Sequence, residues 1–388
     1  MTIIFQNILQ SDSRFDIIKW NKQRRVISLN QKFNHLIDTE DYSVHQWNAM
    51  IRLAQDIMRR PESYSEKCKG KIMATLFYEP STRTQMSFQT AMIRLGGSII
   101  GFDNPGNSSV AKGENLKDTI KIVSNYADIL VMRHSQEGSA KAAALNAECP
   151  VINAGDGGHL HPTQTLTDLL TLQTEIGRLD NLTVGLCGDL RNGRTVHSLL
   201  KTLSCYPNNK FVLISTPHLA LPSYIKDILV ARGCEFREVA TIDEAIPELD
   251  MLYMTRIQRE RFDSAEEYEK QKGVYCLTKE KMALAKSDMI VMHPLPRVDE
   301  IAVEVDDDPR AKYFEQANYG MYVRMALILS TLNNELRPNA LLSGAIHKDV
   351  RCHNPKCVTQ TELYLPNSFR TYGDILICEY CDERTLMR

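Results

Sequence analysis

Five strand ends in this 388-residue sequence carry a basic side chain among neutral donors: Arg83, Arg133, His161, Arg194 and Arg256. Glu79-Pro-Ser-Thr-Arg-Thr84 lies between an apolar run ending at Phe77 and a helix face starting at Phe88. A plain helix cap needs one hydroxyl. Here Ser81, Thr82 and Thr84 surround Arg83, whose planar fork suits phosphate. Free N–H groups at the helix start favour an anion as well. The Gly-x-x-x-x-Gly-Lys of a Walker loop is missing, so the segment reads as a different oxyanion site. Arg133 closes a strand over 128–132, the end at which doubly wound sheets bind ligands. Gly155-Asp-Gly-Gly-His-Leu-His-Pro-Thr-Gln164 follows the next strand. Pro162 suits the first helical position and leaves His161 at the N-cap. The positive helix end there lowers an imidazole pKa, which favours a neutral hydrogen-bond donor over an acid.

The same strand–turn–helix logic recurs in Gly188-Asp-Leu-Arg-Asn-Gly-Arg-Thr195, which sets Arg194 at a helix start. Thr255-Arg-Ile-Gln258 follows a strand and offers Arg256 and Gln258. His293-Pro-Leu-Pro-Arg297 places two prolines in one turn, where a cis bond could expose backbone carbonyls. Asn107 to Glu114 is a polar loop, and Lys112 taken alone is a solvated charge. The sequence shows no paired carboxylates, no Ser–His–Asp signature and no Gly-x-Gly-x-x-Gly. A cationic site rich in neutral donors binds a dianionic substrate and stabilises developing negative charge. That suits group transfer from an activated phosphate without a metal in catalysis.

The elements that position these groups alternate. Apolar runs at 72–77, 98–102, 128–132, 151–153, 183–187, 211–215, 235–239, 251–254 and 289–292 read as strands. Helical spacing appears near 47–58, 88–95, 116–127, 162–176, 196–203, 223–231 and 310–332. Such alternation means βαβ units and parallel sheet. The span exceeds one comfortable core. The expected fold is α/β, with two doubly wound parallel-sheet domains joined by a bridging helix. The expected divisions are an extension over 1–38, a domain over 39–165 completed by helix 310–335, and a domain over 166–309. A small C-terminal module then spans 340–388.

Lys plus Arg total 46 and Asp plus Glu 48, for a net charge of −2. That balance gives no global reason to bind nucleic acid or an anionic membrane. The basic patch Lys19, Lys22, Arg24 and Arg25 beside Trp20 reads as a surface extension. The longest apolar stretch, Met325 to Leu332, is too short to span a bilayer. The N-terminus lacks the basic and apolar regions of a secretory signal, so a cytoplasmic location is expected.

Ten cysteines are present. Six are scattered singly, as buried free thiols in a reducing compartment would be. The remaining four form Cys352-x4-Cys357-x20-Cys378-x2-Cys381. Four thiolates close a tetrahedral Zn2+ shell with no open position, which marks a structural site. A disulfide pair is disfavoured in a reducing cytosol, and a redox Cys-x-x-Cys would not need the second pair. A module this small needs metal to contribute folding energy.

Residues from about 40 to 335 resemble the catalytic chain of the aspartate carbamoyltransferases. The resemblance rests on Ser81-Thr-Arg-Thr84, Lys112-Gly-Glu, Val131-Met-Arg-His134, His161-Pro-Thr-Gln164, Gly193-Arg-Thr-Val-His197, Thr255-Arg-Ile-Gln258 and His293-Pro-Leu-Pro-Arg-Val-Asp-Glu300. It implies carbamoyl transfer from carbamoyl phosphate to L-aspartate in pyrimidine synthesis. It also implies that Ser81, Thr82, Arg83 and Thr84 hold the phosphate. Arg133, His161 and Thr84 would polarise the carbamoyl carbonyl, and Gln164 would bind its amide. Arg194, Arg256 and Gln258 would hold the aspartate carboxylates. The Pro294 and Leu295 carbonyls would receive the carbamoyl NH2 and the attacking amine. The family implies a homotrimer with shared active sites, into which Ser108 (or Ser109) and Lys112 reach from a neighbouring subunit. Ornithine carbamoyltransferases share the phosphate motif but resemble a His-Cys-Leu-Pro pattern at the late turn. The present turn has no cysteine, and Arg256 suits an anionic second substrate. The C-terminal module resembles the zinc domain of the regulatory chain of the same enzyme, here fused and without its nucleotide-binding half. It is expected to serve assembly, as in a higher oligomer, or stability. A zinc ribbon binding nucleic acid is the other reading, opposed by Glu362, Asp374, Glu379, Asp382 and Glu383. A catalytically dead scaffold is opposed by the completeness of the motif set.

Overall fold

The structure of the chain is a computed structural model that describes residues 33–257, 262, 264–335 and 341–386. The basic patch around Trp20 and the predicted ligand Gln258 lie outside the described residues.

The first α/β unit opens with α1 (Val44–Arg59), whose N-terminus is closed by a Ser43–Gln46 capping box. Its Trp47, Met50, Ile51, Ala54 and Ile57 form one buried stripe. Then come β1 (Ile72–Phe77), α2 (Thr82–Arg94), β2 (Ser98–Phe102), α3 (Leu116–Val123), β3 (Ile129–His134), α4 (Ser139–Ala144) and β4 (Val151–Asp156). These strands make a parallel sheet in the order β2-β1-β3-β4. β1 and β3 are central, buried almost throughout and mostly apolar, as strands covered on both faces are.

Helix α5 (Pro162–Glu175) leads into the second unit. That unit contains β5 (Thr183–Cys187), α6 (Arg194–Leu203), β6 (Lys210–Ile214), α7 (Ser223–Ala231), β7 (Glu235–Val239), α8 (Ile242–Ala245) and β8 (Met251–Met254). It closes with α9 (Ala265–Gln271), α10 (Lys279–Met282) and β9 (Ile290–Met292). Its parallel sheet runs β7-β6-β5-β8-β9. The long α11 (Tyr313–Leu332) then returns and packs on α5, α1 and α2. α5 and α11 are buried on nearly every side, so neither shows a sharp apolar stripe.

Several elements differ from the sequence expectation. β3 runs on through Arg133 to His134, and β4 to Asp156, because the two strands keep pairing as far as His134 and Asp156. Arg133 therefore sits on a strand, where its direction is fixed by the pleat. α11 starts at Tyr313 instead of 310, because Arg310 and Lys312 exchange backbone bonds with Val291 and extend the sheet. The short α4 carries no polar/apolar period and was not expected. It is alanine-rich and buried at every residue but Lys141.

The C-terminal module is a four-stranded antiparallel sheet of β10 (Ala345–Ile346), β11 (Ser368–Tyr372), β12 (Ile375–Cys378) and β13 (Arg384–Leu386). It docks on the β3–α4 side of the first unit. Glu137 and Cys357 form a parallel bridge, with Glu137 N donating to Lys356 O at 2.9 Å and Val358 N to Glu137 O at 2.9 Å. Lys141 Nζ donates to Glu379 O at 2.5 Å, and Asn354 Nδ2 to Glu137 Oε2 at 2.6 Å. Below these bonds Ala140, Ala143, Val358, Leu365, Phe369 and Tyr380 share one apolar cluster. Gly138 allows the approach, since a Cβ there would lie 2.5 Å from that of Tyr380.

Candidate active site

Both parallel sheets reverse their winding direction once. In the first the reversal lies between β1 and β3, and in the second between β5 and β8. Such a switch point leaves an open crevice at the carboxyl ends of the strands. The two crevices contribute to one cavity of about 550 Å³. Ser81, Thr82, Arg83 and Thr84 enter it from the β1–α2 turn, and Arg133 from the end of β3. His161 and Gln164 enter from the start of α5, Arg194 from the start of α6, and Arg256 from the end of β8. Pro294 and Leu295 complete the wall.

The details fit anion binding better than capping. Ser81 is the N-cap of α2, yet its hydroxyl makes no capping bond and instead donates to Thr84 Oγ1 at 3.1 Å. The N–H groups of that helix start thus keep their capacity for a ligand. Partial burial and the neighbouring charge of Arg256 push the Arg83 pKa down. Arg133 is buried and held at both ends of its fork. Nη2 pairs with Glu79 Oε2 at 3.1 Å and Nη1 donates to Ala154 O at 3.4 Å. Gly155, at φ +122°, makes room: a Cβ there would lie 2.9 Å from Arg133 Nη1 and 3.4 Å from His161 Cδ2. Arg194 donates to Gly157 O and so ties the second unit to the loop that carries His161.

His161 is the N-cap of α5 with Pro162 at the first helical position, as expected. Its imidazole pKa lies well below the usual value, but the helix end is not the main cause. Burial contributes most, followed by the charges of Arg194, Arg133 and Arg324. Thr163 Oγ1 lies 3.4 Å from Nδ1, and a hydroxyl donated there leaves the imidazole proton on Nε2.

The turn after β9 carries a cis Leu295–Pro296 bond, with Leu295 at φ +50°. His293 organises it. Its Nδ1 accepts from Leu295 N at 2.7 Å, and its Nε2 meets Glu300 Oε1 at 2.7 Å.

Two predicted residues are not brought to this cavity within the chain. Ser108 is bound to Pro105 O at 2.8 Å, and Lys112 stands exposed at the end of the Ser109–Lys112 turn. Among the cavity residues that the sequence analysis missed are Arg324, Gln316 and Thr167. Arg324 left a signal, being the single charge in the otherwise apolar second half of α11. It is 5 % exposed, donates to Ser87 Oγ at 3.1 Å and lies over the Phe88 ring. Burial pushes its pKa down to about 10.

The four terminal cysteines meet as predicted. All are buried, and their sulfur atoms lie within 4.8 Å of one another. Cys352 and Cys381 are 3.4 Å apart and Cys357 and Cys378 3.9 Å apart. Tetrahedral thiolates with metal–sulfur bonds near 2.3 Å stand about 3.8 Å apart, so the donor set fits one tetrahedral metal ion.

Two crevices that converge on one cationic cavity define a two-domain transferase for anionic substrates. A family model for the aspartate/ornithine carbamoyltransferase carbamoyl-phosphate-binding domain matches residues 34–174, and one for the Asp/Orn-binding domain matches residues 180–331. A model for the metal-binding domain of the aspartate carbamoyltransferase regulatory chain matches residues 345–386. The chain is 58% identical over 302 residues to the aspartate carbamoyltransferase catalytic subunit of Clostridium perfringens, covering 78% of this chain and 98% of that one. Among solved structures, the catalytic subunit of M. jannaschii aspartate transcarbamoylase superposes with a TM-score of 0.73 at 46% identity. That match covers 77% of this chain and 98% of the other. The Trypanosoma cruzi enzyme in complex with N-(phosphonacetyl)-L-aspartic acid gives 0.73 at 40% identity, covering 78% and 97%. The chain belongs to the aspartate carbamoyltransferase family, with its catalytic domains followed by a regulatory-chain metal-binding domain.

Proposed function

We propose that this chain transfers the carbamoyl group of carbamoyl phosphate to L-aspartate, releasing phosphate and N-carbamoyl-L-aspartate for pyrimidine synthesis. The observation that carries the proposal is the convergence of Arg83, Arg133, His161, Arg194 and Arg256 on one cavity at two facing switch points. Ser81, Thr82, Arg83 and Thr84 bind the phosphate through hydroxyls, guanidinium and the start of α2. Thr84, Arg133 and His161 donate to the carbamoyl oxygen. When the aspartate amine attacks the carbamoyl carbon, negative charge grows on that oxygen, and donors already in place stabilise it without reorganising. Gln164 accepts from the carbamoyl NH2, and the Pro294 and Leu295 carbonyls from the NH2 and the amine. Arg194, Arg256 and Gln258 hold the aspartate carboxylates. Two guanidinium groups on that side oppose the cationic side chain of ornithine.

The exposed Lys112 and the remote Ser108 support a homotrimer in which both reach a neighbour's cavity. Zinc is the metal we assign to Cys352, Cys357, Cys378 and Cys381, in a structural role, and none is assigned to catalysis. On this reading residues 39–165 with 310–335 bind carbamoyl phosphate, 166–309 bind aspartate, and 340–388 form the zinc module. The enzyme is assigned to the cytoplasm, and the extension expected over 1–38 is limited to the residues before Leu36, which pairs with Ile152 of β4 and belongs with the first unit. Among the described residues no helix is long and apolar enough to cross a membrane.

The test is carbamoyl aspartate formation, with L-ornithine in parallel and with CTP and ATP added. Activity with aspartate alone, unmoved by nucleotide, is the expected result. Carbamoylation of ornithine instead would overturn the substrate assignment.

A further inference from the structure

One buried carboxylate in the core between the two sheets is absorbed by none of the roles above. Asp168 lies on α5 one turn beyond Gln164 and has no exposed surface. Three donors from three elements converge on it. Gln164 Nε2 of α5 donates to Oδ1 at 2.8 Å, and Gln316 Nε2 of α11 donates to the same oxygen at 2.6 Å. Tyr253 of β8 donates its hydroxyl to Oδ2 at 3.0 Å. Gln316 passes the connection on, since its Oε1 accepts from His293 N at 2.9 Å.

A carboxylate only accepts, whereas a glutamine amide has a donor end and an acceptor end. Asp168 therefore decides which way both glutamines face. With its NH2 committed to Asp168, Gln164 keeps its carbonyl oxygen for the cavity it lines. With its NH2 committed likewise, Gln316 offers its carbonyl to the first N–H of the turn that presents Pro294 and Leu295. Burying a carboxylate is costly, and burial pushes its pKa up to about 7. An apolar residue would fill the space at less cost, but neither glutamine would then be oriented.

We propose that Asp168 is a positioning residue for carbamoyl transfer, one carboxylate that turns Gln164 and the His293–Arg297 turn so that acceptor oxygens meet the carbamoyl NH2. The inference rests on the carbamoyl-transfer reading of the same cavity. It assigns Asp168 no contact with substrate.

The experiment compares the full chain with its Asp168→Leu variant. Leucine fills much of the space but carries no acceptor, so neither glutamine amide is held. Each can then turn and present NH2 where the substrate also offers NH2. The expected result is a fall of about a hundredfold in kcat/KM for carbamoyl phosphate, the scale of a misplaced catalytic contact. Inhibition by inorganic phosphate, held by Ser81 to Thr84, should not change. In a Gln164→Met background the same substitution should cost less, because one of its two paths to the substrate is already cut. A change within about threefold in the otherwise intact chain, or an equal loss in both backgrounds, overturns the proposal. Should Asp168→Leu fail to fold, Gln316→Met, which cuts the link to His293 N, carries the test. A loss of about tenfold or more with phosphate inhibition intact supports the proposal, and unchanged kinetics overturn it. Lack of carbamoyl transfer by the wild-type chain would defeat the proposed function itself, a result distinct from an indifferent Asp168→Leu.

Discussion

His161→Ala tests whether the imidazole acts as a neutral donor. His161 is 6 % exposed, and three guanidinium groups, those of Arg194, Arg133 and Arg324, bear on it besides the burial. All four influences oppose a second proton, so the ring stays neutral far below the ordinary value of 6.5. A neutral ring in this place can donate to the carbamoyl oxygen but has no proton to give away at working pH. Removing one such donor costs roughly a hundredfold to a thousandfold in kcat, or about 3 kcal/mol. Arg133 and Thr84 still reach the same oxygen, so the expected loss lies near a hundredfold, with little change in KM for aspartate. The assay is steady-state kcat and KM for both substrates from about pH 5.5 to 9. In the wild type no limb of the kcat profile should belong to His161. The stability effect has a definite sign. Above 6.5 the ring is neutral in both folded and unfolded chains and adds no pH dependence. As the pH falls below 6.5 the unfolded chain takes up a proton that the native site refuses, so stability is lost on the acid side. A wild-type limb between about pH 6 and 7 that vanishes in His161→Ala would refute the neutral-donor argument and make His161 an acid–base catalyst.

Gly155→Ala should be damaging although the residue bears no chemistry. Its φ of +122° and a Cβ only 2.9 Å from Arg133 Nη1 predict a loss of about 1–3 kcal/mol in thermal unfolding, with a drop in kcat as Arg133 is displaced; an unaltered melting temperature and kcat would contradict the geometry. Elemental analysis should find one zinc per chain. Its removal by a chelator, or Cys381→Ser, should lower the melting temperature and deprotect the amides of β11 and β12 to hydrogen exchange. Verified metal loss with neither change would show that the module does not depend on the ion. Lys112→Ala and His161→Ala should each be nearly inactive alone. Dissociated, mixed in equal amounts and reassociated, they should recover about a quarter of wild-type activity if sites are shared between neighbours in a closed ring. No recovery after demonstrated subunit exchange would place each site within one chain.

Local pattern carried most of the architecture. Runs such as Ile72–Phe77 and Met251–Met254 have the predicted bounds, because central parallel strands are apolar on both faces and end at turn residues. Pro162 after His161 marked the start of α5 to the residue. What escaped depends on chain partners distant in sequence. Arg133 counts as a strand residue because Phe77 of β1 pairs with it and Asp156 extends β4 beside His134. The charge of Arg324 was visible in the sequence, but not that α11 folds back across α2 and brings it to Ser87. The depressed pKa of His161 was anticipated for a lesser reason. Burial and three arginines from separate segments outweigh the helix end, and no local window contains them.

The placement of the C-terminal module gives the four-cysteine cluster a mechanical meaning. Besides bonding the start of α3 at Leu116, the module contacts Gln136 to Lys141 and His159, just beyond β3 and β4. Those are the strands whose ends carry Arg133 and lead to His161. Cys381 is followed by Asp382, whose carboxylate meets His159 Nε2 at 3.1 Å, while His159 Nδ1 meets Asp156 Oδ2 at 3.2 Å. Asp156 also accepts from Gly138 N and Leu160 N, at 2.8 and 3.0 Å. The loop from Asp156 to His161 is therefore held on its outer side by the module and on its inner side by Arg194 at Gly157 O. A loop rich in glycine has little stiffness of its own. Its geometry is set by what grips it, and a cluster of four cysteines fixes the segment on which Asp382 stands. A module too small to fold strongly by itself is thus placed where its order bears on the same loop that orients His161.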